Sequence, residues 1–238
     1  GNDGGTVGIT VEAVNDAPTA SDGTDSGDED TSVSTNVVAL GSDVDINDSL
    51  FISTVTNGTD GTVTINGDQA IYTPDLDFNG TDSYTFTLED EGGLTVTESI
   101  TVTVNPINDD PTGNDADLIV LEDEPFIGNL GDLSAIDDVD GDTLVYTFPA
   151  NSAGGGLIDQ QGTGPNFRYT SLENYNSDVD GDDSFITSID DQNGGVIDIT
   201  VNIVVNAVND APIASSGADS GDEDTSVSTD VVALGSDV

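Results

Sequence analysis

The motif Val14-Asn15-Asp16-Ala17-Pro18 returns as Ile107-Asn108-Asp109-Asp110-Pro111 and again as Val208-Asn209-Asp210-Ala211-Pro212. The copies start 93 and then 101 positions apart. A recurrence of this size means one domain repeated in tandem. Ser26 to Val44 is also repeated as Ser220 to Val238, with Asn36 against Asp230 as the single difference. The expected organisation is a window on a longer array. Residues 1–16 are read as the last strand of a preceding repeat, 17–108 and 109–210 as whole repeats, and 211–238 as the truncated start of another.

The charge excludes several functions. There are 48 acidic residues and one basic residue, Arg168, for a formal net charge of -47. Such a field repels nucleic acid and anionic membrane, which need Lys and Arg to neutralise phosphate. It attracts cations, and it strains a compact state unless ions neutralise the carboxylates. The chain has no Cys, so no disulfide can compensate for thin cores. The absence of His and Met removes the common general base and the usual transition-metal ligands. No apolar run is long enough to span a membrane.

Alternation marks the strands. In Leu94 to Val104, Leu94, Val96, Ile100, Val102 and Val104 share one parity and Thr95, Thr97, Ser99, Thr101 and Thr103 the other. Ile197, Ile199, Val201, Ile203 and Val205 repeat this in the next copy. Period two with β-branched residues predicts strands with one buried face. Shorter strands are expected at Gly61 to Ile65, Gln69 to Thr73, Tyr84 to Leu88 and Leu144 to Phe148. Gly-rich turns such as Glu91-Gly92-Gly93 and Asn193-Gly194-Gly195 separate them. No segment has helical spacing over three turns. The predicted fold class is all-β, as tandem antiparallel β-sandwich domains joined by short linkers.

These motifs carry a resemblance. Asn15-Asp16, Glu29-Asp30-Thr31, Asp43-Val44-Asp45, Tyr72-Thr73-Pro74, Phe78-Asn79-Gly80-Thr81-Asp82 and Gly92-Gly93 follow in an order that resembles the cadherin-like, immunoglobulin-like tandem repeat of large bacterial surface proteins. The likeness covers essentially the whole chain. The second copy departs from it, with Glu122-Asp123-Glu124, Tyr175-Asn176-Ser177 and an acidic insert over Asp178 to Asp183. The resemblance implies Greek-key sandwiches with calcium bound between consecutive domains. Calcium takes six to eight oxygens from carboxylates, Asn side chains and carbonyls.

Carried over residue by residue, the resemblance implies a central set of Asn108 and Asp109 with Asp138 and Asp140, and with Glu29, Asp77 or Asp82, and Asp90 from the preceding repeat. Asn15 and Asp16 would join Asp43 and Asp45. Asn209 and Asp210 would join Glu122, Asp183 and Asp191, with Asp237 from the last repeat. The bland reading of any single Asp is a solvated turn residue. Asp138 to Asp142 and Asp178 to Asp183 also read as open-ended acidic loops, since neither has the Gly and Glu positions of an EF-hand.

The functional expectation is a calcium-rigidified extender of an exported bacterial adhesin, extracellular at the cell surface, supporting cell adhesion and biofilm attachment. Its expected partners are calcium ions and neighbouring repeats, without nucleic acid or membrane insertion. An enzyme is not expected, because acids that recur in every copy do not define one active site. The competing reading is a sugar- or protein-binding β-sandwich module of a secreted protein. Arg168 is expected to form a local ion pair on a strand.

Overall fold

A computed structural model describes residues 4, 6–12, 14–45, 48–209, 213–214, 220, 223–224, 226 and 235–236. The chain divides into two compact units, Gly1–Ile107 and Asn108–Val238. Unit 1 has seven main strands: β1 (Gly23–Asp28), β2 (Val33–Asn36), β3 (Phe51–Val55), β4 (Gly61–Asn66), β5 (Gln69–Pro74), β6 (Gly80–Glu89) and β7 (Thr95–Asn105). Unit 2 repeats them as β8 (Ala116–Leu121), β9 (Phe126–Asn129), β10 (Val145–Thr147), β11 (Leu157–Gln160), β12 (Asn166–Thr170), β13 (Asp183–Asp190) and β14 (Val196–Asn206).

Each unit is a four-stranded sheet packed on a three-stranded one. The orders are β1-β7-β6-β3 and β2-β5-β4 in unit 1, and β8-β14-β13-β10 and β9-β12-β11 in unit 2. All neighbours are antiparallel except β1 with β7 and β8 with β14, which are parallel. The expected antiparallel β-sandwiches are present, with these two parallel pairs joining the first and last strand of each unit. With seven strands, the chain enters a unit at one pole and leaves at the other, so its first and last strands run the same way.

The alternation in sequence becomes the core. Ile100, Val102 and Val104 of β7 are buried, as are Ile199, Val201, Ile203 and Val205 of β14. In unit 1 they pack on Tyr72, Tyr84, Phe86 and Leu88. In unit 2 they pack on Phe167, Tyr169, Phe185 and Ile189. Burying a large apolar side chain contributes about 1.5–3 kcal/mol. The outer face of unit 1 is hydroxylic, with Thr87 and Thr97 bonded across the strands at 2.8 Å. A short helix, α1 (Leu130–Ser134), buries Leu130 and is capped by Asn129, whose side chain accepts from the Gly131 N–H at 2.9 Å. One turn is too short to leave a helical period in the sequence.

Among the described residues, 6–12 have no strand partner, and Val7, Ile9 and Val11 are exposed. Near the other end, Ile213–Ala214 pairs with Gly235–Ser236 in the same way as Thr19–Ala20 pairs with Gly41–Ser42. Most of the segment 211–238, read as the truncated start of another repeat, lies outside the described residues. Among the described residues, no helix is long and apolar enough to cross a membrane.

Candidate metal centres

Each unit places a group of carboxylates at each of its two poles. At the entry pole of unit 1, the Asn15 side chain donates to Asp90 Oδ2 at 2.9 Å. The Asp16 N–H donates to Asp45 Oδ2 at 2.7 Å, and the Asp45 N–H to Asp43 Oδ1 at 2.8 Å. Asp43, Asp48 and Asp90 each offer an oxygen there, all within 4.8 Å of one another. Asp90 is buried on the β6–β7 turn.

Unit 2 repeats the arrangement. The Asn108 side chain donates to Asp191 Oδ2 at 2.7 Å, and the Asp109 N–H to Asp140 Oδ2 at 2.9 Å. Asp138, Asp142 and Asp191 offer oxygens within 4.8 Å of one another. The Asp142 N–H donates to Asp138 Oδ1 at 3.1 Å, and the Asn193 side chain to Asp142 Oδ2 at 2.6 Å. The N–H groups of Asn193, Gly194 and Gly195 all converge on Asp191 Oδ1. A Cβ at Gly195 would collide with the Asp191 carboxylate, so only glycine permits this turn.

At the exit poles a glutamate holds the chain as it leaves. The Ile107 N–H donates to Glu29 Oε1 at 2.5 Å, and the Val208 N–H to Glu122 Oε1 at 2.7 Å. The Asn79 side chain lies 3.5 Å from Glu29 Oε2. Asp77 has positive φ, and its N–H donates to Asp30 Oδ1 at 3.2 Å. Asn209 follows Val208 at the exit of unit 2, while Asp210 and Asp237 lie outside the described residues.

Two expected groupings are corrected. Asp90 was placed with Asn108 and Asp191 with Asn209, but the structure sets Asp90 beside Asn15 and Asp191 beside Asn108. The reason is strand direction. β6 runs antiparallel to β7, so the turn after β6 lies at the pole opposite the exit. β13 and β14 do the same.

Asp82 and Asp183 are also corrected. Neither sits with the polar clusters; both are buried and fully bonded inside their sandwiches. Asp82 accepts from the N–H groups of Thr59, Asp60 and Ser83 and from the Tyr72 hydroxyl. Asp183 accepts from the N–H groups of Gly154 and Ser184 and from the hydroxyls of Ser152 and Tyr169. Two bonds on each oxygen leave no ordinary lone pair for an ion. Conversely, the sequence reading passed over Asp48, and it took Asp142 only as part of an open-ended loop.

The clusters have the electrostatics of cation sites. Arg168, the one basic residue, pairs with Asp159 at 3.1 Å on the outer face of a sheet. Burial pushes the Asp48 carboxyl above its ordinary value, and Glu91, Asp43, Asp45 and Asp90 push it the same way. The Asn108 side chain holds Asp191 below its ordinary value against burial, helped by the turn N–H groups. Burial raises Asp90, yet Asn15 and the turn N–H groups leave it below its ordinary value. Asp43 Oδ2, Asp138 Oδ2 and Glu122 Oε2 are buried and have no hydrogen-bond partner among the described residues. Buried polar atoms are normally satisfied, and hard carboxylate oxygens grouped this way fit a calcium ion.

Two seven-stranded Ig-type sandwiches in tandem define the class of protein. Residues 15–103 and 108–204 each match the family described as bacterial Ig domain, and the chain belongs to that family. No curated protein matches it. Among solved structures, protocadherin gamma C5 EC1-3 is 13% identical with a TM-score of 0.50, covering 79% of this chain and 68% of that one. Human mucin-like protocadherin EC1-2 is 16% identical with a TM-score of 0.46, covering 80% and 98%. An endo-fucoidan hydrolase of glycoside hydrolase family 107 is 20% identical with a TM-score of 0.31, covering 81% of this chain but 29% of its own. At such identities, likeness extends to the fold alone.

Proposed function

We propose that this chain is a structural spacer, a tandem of sandwiches stiffened by calcium in the extracellular part of a bacterial surface adhesin. The observation that carries it is the pair of three-carboxylate clusters, Asp43/Asp48/Asp90 and Asp138/Asp142/Asp191, in a chain whose one cation is engaged elsewhere. Both clusters touch the Asn-Asp linker motif of their own unit. Calcium there would neutralise repulsion and pin the linker residues to the sandwich. Asn15, Asp16, Asp45, Asn108, Asp109 and Asp140 are the further oxygen donors of the entry poles. Glu29, Asp77, Glu122 and Asn209 are those of the exit poles, and Asp210, next in the Asn-Asp motif, is the donor expected from the sequence alone. The repetition favours a mechanical role over an active site. Support for cell adhesion and biofilm attachment is the biological role this reading implies.

The test is small-angle scattering with and without calcium. A stiffened linker narrows the distribution of maximum dimensions in calcium. Asp109→Ala removes that narrowing and leaves both sandwiches folded. A variant that responds to calcium as the parent does contradicts the linker mechanism.

A further inference from the structure

The two units differ sharply at one edge. β1 and β8 occupy the same place in their sheets, each bonded on one side only among the described residues. The outward residues of β1 are Thr24, Ser26 and Asp28; at the matching positions β8 carries Asp117, Ile119 and Leu121. Ile119 is 69% exposed and Leu121 44%. Beside them lies a cavity of about 250 Å³ lined by Ile119, Leu121, Glu124, Pro125 and Phe126 among others.

The backbone of this edge is also open. The Glu122 N–H donates to the Asn206 carbonyl at 3.0 Å. In a parallel ladder alternate residues direct both backbone groups to the same side. The even-numbered residues of β8 therefore face β14, and Ile119 and Leu121 present N–H and C=O to solvent. Proteins normally blunt such an edge with charge or small polar residues, as β1 does here.

We propose that the edge of β8 is a docking site for an extended basic segment of another protein, which adds as a strand and seats an aliphatic side chain against Phe126. Charge selects this occupant. Glu124 lines the cavity, the exposed Asp117 and Asp123 lie two positions from Ile119 and Leu121, and the chain carries a formal charge of -47. A second copy of the chain meets that repulsion, whereas a segment alternating basic and aliphatic residues is attracted and matches the strand period. The two three-carboxylate clusters lie on other loops, at the entry poles, whereas Glu122 of the exit pole directly follows β8 and turns inward to the Val208 N–H.

The test is a titration of the full chain, followed by amide NMR, with a seven-residue capped peptide of alternating Lys and Val. The expected result is perturbation centred on Ile119, Leu121 and Phe126. The double variant Ile119→Ser/Leu121→Asp copies the β1 edge, which the fold already accommodates. It should weaken binding by about tenfold or more, as expected for losing two buried aliphatic contacts. Ile119→Lys should do the same through charge, and Ile127→Ser, on the other sheet, should not. Equal binding by parent and both edge variants, with shifts spread over the acidic residues, would mean adsorption by charge alone and overturns the proposal. Self-association of the parent through β8, seen by sedimentation, would overturn it by making a second copy the occupant.

Discussion

Tyr72 donates its hydroxyl proton to Asp82 Oδ2 at 2.9 Å, joining the two sheets of unit 1 from β5 to β6. Tyr169 and Asp183 do the same in unit 2 at 2.7 Å. Each aspartate also holds the loop before β4 or β11 by its N–H groups. A Cβ at Gly58 or Gly154 would strike the carboxylate, so both loops approach it through glycine. Without disulfides, this bonded carboxylate is a polar tie between the sheets, in unit 1 beside the Thr35 hydroxyl that donates to Asp25 at 2.7 Å.

Tyr72→Phe should therefore destabilise unit 1 without unfolding it. A hydrogen bond to a charged group is worth about 1.5–3 kcal/mol, and removing this one leaves Asp82 buried with fewer donors. Denaturant unfolding should show a fall of about 2 kcal/mol. Tyr169→Phe should act alike in unit 2. No measurable loss in either variant would remove the tie from the account.

The pH response should have two limbs in chelator. Burial raises the Asp82 carboxyl, but the N–H groups of Thr59, Ser83 and Asp60 and the Tyr72 hydroxyl leave it below its ordinary 3.8. Its stabilisation is thus present above the unfolded value and lost as pH falls through the lower folded value. Asp48 is raised, so protonating it favours the folded state as pH falls towards 3.8. Thermal midpoints should rise as pH falls from neutrality towards 3.8, and fall as pH drops further below it. A monotonic loss of stability from pH 7 downward contradicts this.

Asp48→Asn separates the two consequences of the entry cluster. It removes a charge that Glu91, Asp43, Asp45 and Asp90 disfavour. In chelator the midpoint of unit 1 should therefore rise. In calcium the gain over chelator should shrink, because a ligand oxygen becomes a weaker amide. Scanning calorimetry reads both, and an unchanged calcium increment would take Asp48 out of the site.

Much of the fold was legible because alternation survives in the strands. Ile100, Val102 and Val104 announce a buried face by parity, and the structure buries them. The same parity held information that the acid chemistry obscured. Asp82 is in phase with Tyr84, Phe86 and Leu88, and Asp183 with Phe185 and Ile189, so their burial was written in the period. The poles were harder. Which linker meets Asp90 or Asp191 depends on strand direction, which residue spacing does not encode. Asp48 was missed because an acid three positions beyond Asp45 looks like one more turn residue. The apolar edge of β8 shows in sequence only when Ile119 and Leu121 are set against Ser26 and Asp28 of the sister repeat.

The proposed function requires calcium, held by the entry-pole carboxylates, to stabilise and stiffen this tandem. The most direct measurement is the thermal midpoint of the chain in calcium, in equimolar magnesium and in chelator. At about ten times its dissociation constant, one calcium adds about 1.4 kcal/mol to the unit that binds it. That corresponds to a rise of about 5–10 °C for a domain of this size. Magnesium should do much less, since it demands strict octahedral geometry and sheds water reluctantly. Combined Asp90→Asn and Asp191→Asn substitution should abolish most of the rise. Equal midpoints in calcium and chelator for the parent chain would contradict the account.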